Sequence, residues 1–202
     1  MTETLTRPET GTYREPKLWT KEECYRLVER GELDERYELI EGVIYGPMTK
    51  HTPHVLTLLL VYYWLVHVFG LEFVQKEDPI TLPGKAGKIN EPEPDIAVLR
   101  RQTTSFTEGR PRPEYIALLV EVADSSLWFD SNTKALVYAR AGIAEYWVMD
   151  VNGRQILRHR KPGRNGYHDI VIFGENAMIA APGRSETARV GELFAPVTIS
   201  EE

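Results

Sequence analysis

Two carboxylates stand where apolar sequence surrounds them. Asp95 heads the run PDIAVLR directly behind Pro94, and Glu121 interrupts YIALLVEVAD, 26 residues further on. A buried carboxylate is costly unless it is paired or bound to a cation. Two hard oxygen donors that leave room for water and phosphate suit Mg²⁺ or Mn²⁺. Taken singly, Asp95 reads as a strand-start residue capping a turn. Glu121 reads singly as a half-buried acid paired with Arg100, Arg101 or Arg140. Together they read as a metal pair, because perturbed buried acids gather at functional sites.

The elements must then bring the two acids together. Residues 115–124 are apolar on both faces, as in a central strand covered on both sides. Alternation puts Leu119, Glu121 and Ala123 on one face and Val120 and Val122 on the other. Asp95 begins its own strand near a sheet end or edge, since Pro94 cannot donate a ladder hydrogen bond. If the strands are neighbours, the carboxylates converge. Lys134 follows Glu121 by 13 residues and Asp130 by four. A short loop over 124–130 folds its helix back along the sheet and hangs the ammonium over the acids. There it can orient a water and stabilise charge on a phosphate. The simpler reading of Lys134 is a solvated i,i+4 pair with Asp130. Glu38, in RYELIEG, is a further acid, and Glu41 equals it by composition. His51 and His54 are followed by no acid at metal spacing, which discounts a zinc site; His54 reads as satisfying a helix end.

Residues 1–16 read as a loose arm before a single domain over 17–200. In WTKEECYRLVERGE, Thr20 and Glu23 form a capping box and Gly31 ends the helix. RYELIEGVIYG is a hairpin about Glu41-Gly42. A helix opens at Thr52, carries Pro53 in its first turn and runs to about Phe69. It is apolar on most faces and is expected deep in the fold, with Tyr62, Tyr63, Trp64 and Phe69 as core. LEFVQKEDPITL and DIAVLR read as strands around the turn PGKAGK, and 100–114 as a loop. Asp130 or Ser131 is expected to cap a helix reaching about Ala141, with Gly142 past its end. AEYWVMDV is a strand, and Asn152-Gly153 turns the chain into a hairpin of RQILRHR and GYHDIVIFG. The fold class is α/β, or mixed α+β: one mixed sheet with helices packed on it. Arg154, Arg158, Arg160, Lys161 and Arg164 fall on this hairpin. They read as a charged edge that blocks aggregation in preference to a phosphate-tracking surface.

With 202 residues, 42% of them hydrophobic, the chain can bury one ordinary core. A formal charge of −6 argues against coating nucleic acid by bulk charge, but not against a local basic cleft. The single cysteine, Cys24, excludes an intrachain disulfide and a cysteine-based zinc site. MTETLTRPETG lacks the apolar core of a signal peptide, and VLTLLLVYYWLVHVFG reads as too short and interrupted to span a bilayer. The expected setting is the cytoplasm, with no membrane partner.

The order YELIEG, PDIAVL, LLVEVADSS and YARAGIAEYWVMD resembles the Uma-type family of putative restriction endonucleases. That family, formerly a domain of unknown function, belongs to the PD-(D/E)XK nuclease superfamily. The resemblance runs roughly from Trp19 to Val151, and YARAGIAEYWVMD is its most specific part. It implies a restriction-endonuclease-like core, a mixed central sheet flanked by helices with an added antiparallel hairpin. It also implies Mg²⁺-dependent (or Mn²⁺-dependent) phosphodiester hydrolysis, with DNA as partner and a homodimer as a fitting assembly. In the superfamily the lysine usually follows the acid by two residues, where this chain has Ala123. The Uma-type pattern moves it to the next helix, which Lys134 matches. By resemblance Asp95 and Glu121 are metal ligands, with the Val122 carbonyl completing the site. Lys134 is then the catalytic lysine and Glu38 the N-terminal acid. Two departures stand out: ADSS (123–126) lacks the proline of the family's usual SPST, and Val43 stands where an acid often follows the hairpin glycine. The alternative is a catalytically silent nucleic-acid-binding or protein-interaction module that keeps the nuclease fold.

Overall fold

Thr20 starts the first element as the sequence predicts. Its Oγ1 accepts from the Glu23 N–H at 3.3 Å while Glu23 Oε2 accepts from the Thr20 N–H at 2.9 Å. The reciprocal cap opens α1 (Lys21–Glu29). The computed structural model describes residues 15–47, 49–107 and 109–196, so most of the expected arm lies outside the described residues.

A hairpin follows, β1 (Glu38–Ile40) and β2 (Val43–Tyr45). Its two turn residues, Glu41 and Gly42, have φ of 50° and 77°, as a type I′ turn demands. Trp19 N–H donates to the Gly42 carbonyl at 2.8 Å, and Gly42 N–H donates to Ile89 at 2.8 Å. A Cβ at Gly42 would meet the Leu18 Cβ at 2.7 Å and its Cα at 3.3 Å. The turn is therefore pinned between two neighbouring segments, and this fixes where Glu38 points.

The long helix α2 (Thr52–Phe69) forms over the expected residues. It is not deeply buried all round. Thr57, Leu58, Val61 and Leu65 face the sheet, but Val55, Leu56 and Tyr63 are exposed. Its 18 residues and mean hydropathy of 1.4 meet the length and composition of a membrane-crossing helix, contrary to the sequence reading. Packing of its inner face against Val98, Leu118 and Val120 is that of a core helix. Trp64 does serve as core, stacked on Trp147 at 6.1 Å.

Beyond α2 come β3 (Val74–Lys76), the short α3 (Ala86–Ile89), β4 (Ile96–Leu99) and β5 (Ile116–Ala123). Of LEFVQKEDPITL only β3 is a strand. Ile80 and Leu82 are buried, but the Ile80 and Thr81 N–H groups bond to the carbonyls of Pro92 and Pro111, outside any strand ladder. After β5, the helical segment begins before Asp130. Residues Phe129–Lys134 form a wide π-type turn, with Ala135 N–H reaching back to the Asp130 carbonyl, and α4 (Ala135–Ala141) continues it to Gly142. Asp130 is thus no cap. Its carboxyl lies inside the turn, 3% exposed.

The rest is antiparallel: β6 (Glu145–Asp150), β7 (Gln155–Gly163) and β8 (Gly166–Phe173), then a small β9 (Met178–Ala180) and β10 (Thr187–Arg189) pair. The six-stranded sheet has the order β3-β4-β5-β6-β7-β8, with β5 and β6 parallel and every other pair antiparallel. One core lies between the sheet and α2, the other between the sheet and α4. In the turn between β6 and β7, Arg154 is held by Glu175 and two carbonyls, and on the β7–β8 hairpin Arg160 is held by Asp169.

Substituting Gly42→Ala puts a side chain in left-handed backbone and against Leu18. It should lower unfolding free energy by about 2 kcal/mol. Denaturant unfolding reads this out, and a loss below about 0.5 kcal/mol would show the turn to be unconstrained.

Candidate active site

Antiparallel pairing sets Ile96 opposite Val120, so Asp95 falls level with Glu121 across the β4–β5 ladder. The predicted neighbourhood of the two strands is therefore present. Asp95 Oδ2 accepts from the Val122 N–H at 2.8 Å. The strand-start reading of Asp95 as a turn cap and its reading as a site residue meet in this bond: it caps β5 and is locked by it.

Glu121 projects from the α4 face of the sheet, 4% exposed. None of the three arginines is its partner. Its Oε1 accepts from Lys134 Nζ at 3.0 Å and from the Tyr138 hydroxyl at 2.9 Å. Its Oε2 has no hydrogen-bond partner among the described residues. Lys134 is not solvated, being 5% exposed. Its Nζ lies 2.9 Å from Glu38 Oε1, 3.0 Å from Glu121 Oε1 and 4.0 Å from Asp130 Oδ1. Glu38 Oε1 also accepts from the Glu93 N–H at 3.1 Å. Glu41 pairs instead with Arg140, so the hairpin sends Glu38 alone into the site.

Lys134 was expected in the site, whereas Asp130, Tyr138 and Lys50 were not read from the sequence as site residues. Asp130, Lys134 and Tyr138 are spaced by four, and that single-face spacing was the available signal for the aspartate and the tyrosine. Ser126 donates to Asp130 and so holds it inward. Lys50, which bonds Glu77 and stands 3.4 Å from Asp95 Oδ1, comes from the segment before α2 and had no local signal. His54 does not satisfy the helix end as expected. Its Nε2 is buried without a partner among the described residues, 3.7 Å from Asp95 Oδ1.

The charges do not balance. Glu38, Glu121 and Asp130 surround one ammonium. Burial pushes the Glu121 carboxyl well above the usual carboxylate range. Lys134 opposes that, while Asp130, Asp95 and Glu38 reinforce it. Burial likewise raises Asp130 to about 6. Burial alone would pull Lys134 down, but Glu121, Glu38 and Asp130 reverse this and hold it well above the lysine range. The charged lysine is favoured, and burial favours the protonated forms of Glu121 and Asp130. Among the described residues, no three His, Cys, Asp or Glu side chains stand at metal-holding spacing. A cation here would have to combine the two strand acids with backbone and solvent oxygens.

Between pH 3.8 and about 6 the folded chain keeps a proton on Asp130 that the unfolded chain has lost. This group therefore reduces stability as pH rises through that window, by up to about 3 kcal/mol. Asp130→Asn should be more stable than the parent at pH 7.5 by about 1–3 kcal/mol, with a smaller gain at pH 4. Urea unfolding at both pH values checks it, and an equal effect at the two would contradict the buried-acid assignment.

Comparison with known proteins bears on the family and the fold. The model of a family described as Uma2, putative restriction endonuclease, matches residues 22–187. The crystal structure of a putative nuclease belonging to DUF820 from Anabaena variabilis superposes with a TM-score of 0.61 at 16% identity, covering 83% of this chain and 96% of that one. At that identity the likeness shows the fold, a mixed central sheet flanked by helices. No curated protein matches. The family match spans the hairpin bearing Glu38, both strand acids and the lysine-bearing helix, and the chain belongs to the Uma2 family of putative restriction endonucleases.

Proposed function

We propose that the chain is a Mg²⁺-dependent (or Mn²⁺-dependent) endonuclease that hydrolyses phosphodiester bonds in DNA. The observation that carries this reading is the buried lysine shared by Glu121 and Glu38, with Asp95 level with Glu121 on the next strand. A homodimer suits it, because each chain carries one such site and a duplex has two strands to cut. A cytoplasmic setting is in keeping with the lone buried thiol of Cys24.

The donor set fits a hard dication. Glu121 keeps Oε2 unbonded, and Asp95 is anchored through Oδ2 by Val122. A strand residue sends its N–H and C=O to the same edge, so the Val122 carbonyl faces the Asp95 side. Asp95, Glu121 and the Val122 carbonyl would hold Mg²⁺ and leave room for water and phosphate. The excess of acids over cations gives such an ion its attraction. When bound, it supplies Lewis-acid polarisation of the phosphate and a more acidic water.

Glu121, Glu38 and Asp130 favour the cationic form of Lys134, which suits it to donate and not to act as the base. It donates hydrogen bonds, orienting the attacking water and stabilising negative charge that grows on the phosphate. Glu38 has Oε1 taken by Lys134 and the Glu93 N–H, and Oε2 left to accept a proton from that water. Tyr138 keeps Glu121 in place. Its phenol, pushed well above the usual range by burial, stays a donor.

Incubation of purified protein with supercoiled plasmid and Mg²⁺ or Mn²⁺ tests this. Asp95→Ala and Lys134→Ala should each lose about 10³-fold or more in cleavage rate. Equal residual cleavage by parent and variants would mean contamination and sink the claim. Calorimetry separates the silent-module alternative: a nuclease site binds Mn²⁺ and loses it in Glu121→Ala, while a relic binds none.

A further inference from the structure

His54 occupies the first turn of α2, and only 8% of it is exposed. Among the described residues, its Nε2 reaches neither solvent nor a hydrogen-bond partner. Buried polar atoms are nearly always bonded, so an orphan of this kind calls for a functional explanation. The atom stands 3.7 Å from Asp95 Oδ1, too far for a hydrogen bond yet aimed at one. A closure of about 0.7 Å would bring it to the ~3.0 Å of an ordinary N–H···O contact. The helix that carries the ring is held in place. Thr57, one turn on, accepts from the Ala195 N–H at 3.1 Å, and Leu58, Val61 and Leu65 seat the same face on the sheet.

Asp95 has its other oxygen fixed by the Val122 N–H. Its Oδ1 faces two groups, His54 and the half-exposed Lys50 at 3.4 Å, and Lys50 is also drawn to Glu77. Lys50 can leave for solvent; His54 cannot. Hydrogen-bond donors behind a liganding carboxylate set its orientation and its basicity.

We propose that His54 is a positioning residue for Asp95. Its Nε2–H donates to Oδ1 when the carboxylate is drawn onto a divalent cation, so that Asp95 is held from both oxygens, by Val122 and by His54. The facing carboxylate selects the tautomer with the proton on Nε2. This rests on the metal-dependent reading above and adds to it a residue that touches neither substrate nor ion.

The test is Mn²⁺ titration calorimetry on the parent, His54→Gln and His54→Phe, with a melting curve for each protein in chelator. Glutamine can place an amide donor where Nε2 lies; phenylalanine keeps the ring and removes the donor. His54→Phe should weaken Mn²⁺ binding about 10–100-fold, and His54→Gln should stay within about threefold of the parent. In chelator, His54→Phe should melt no lower than the parent, since it removes an unpaired buried polar atom. Unchanged affinity in His54→Phe overturns the proposal, as does equal weakening by both variants, which would mark a packing role. If the parent itself binds no Mn²⁺, the metal-dependent reading fails and takes this proposal with it.

Discussion

One ammonium group in a buried ring of acids is what the rest of the structure serves. Lys134 meets Glu121 and Glu38 at hydrogen-bond distance and Asp130 just beyond it. Each partner comes from a different element: the central strand, the N-terminal hairpin and the π-type turn. Burying an ion is expensive, and mutual attraction repays the expense only when geometry and further hydrogen bonds are good. Here Tyr138, Ser126 and the Glu93 N–H supply those further bonds. The arrangement still leaves more acid than base, which is a poor design for stability alone and a good one for attracting a cation.

The sheet provides the precision. Asp95 and Glu121 are level because β4 and β5 are antiparallel in register, and Val122 ties the one to the strand of the other. The parallel step from β5 to β6 requires a crossover, and that crossover is the segment carrying Asp130, Lys134 and Tyr138. A lysine displaced from the strand to the helix can therefore return to the same carboxylate. Ala123, two residues after Glu121 on the strand, is wholly buried on the α4 side.

Much of this was legible in the sequence for physical reasons. Period-two alternation located Glu121 on its face, and Pro94 located Asp95 at a strand start. The Glu41-Gly42 pair announced a turn that only left-handed backbone can make, and Thr20 with Glu23 announced a cap. Other features were not legible. A π-type turn has no separate sequence period, so Asp130 read as a helix cap when it lies inside the turn. Composition could not choose between Glu38 and Glu41; the hairpin's register does. Lys50 and His54 meet Asp95 only through tertiary packing. Apolar residues around all of α2 suggested full burial, whereas the sheet covers one face and leaves Val55, Leu56 and Tyr63 outside.

On the proposed function, Asp95 and Glu121 are two halves of one cation site beside Lys134. The most direct measurement is anomalous diffraction from crystals soaked in Mn²⁺. A peak is expected within about 2.0–2.6 Å of an oxygen from each of the two carboxylates, with Lys50 withdrawn from Asp95. An anomalous map with no peak between them, and Lys50 still on Asp95 at saturating Mn²⁺, would contradict it.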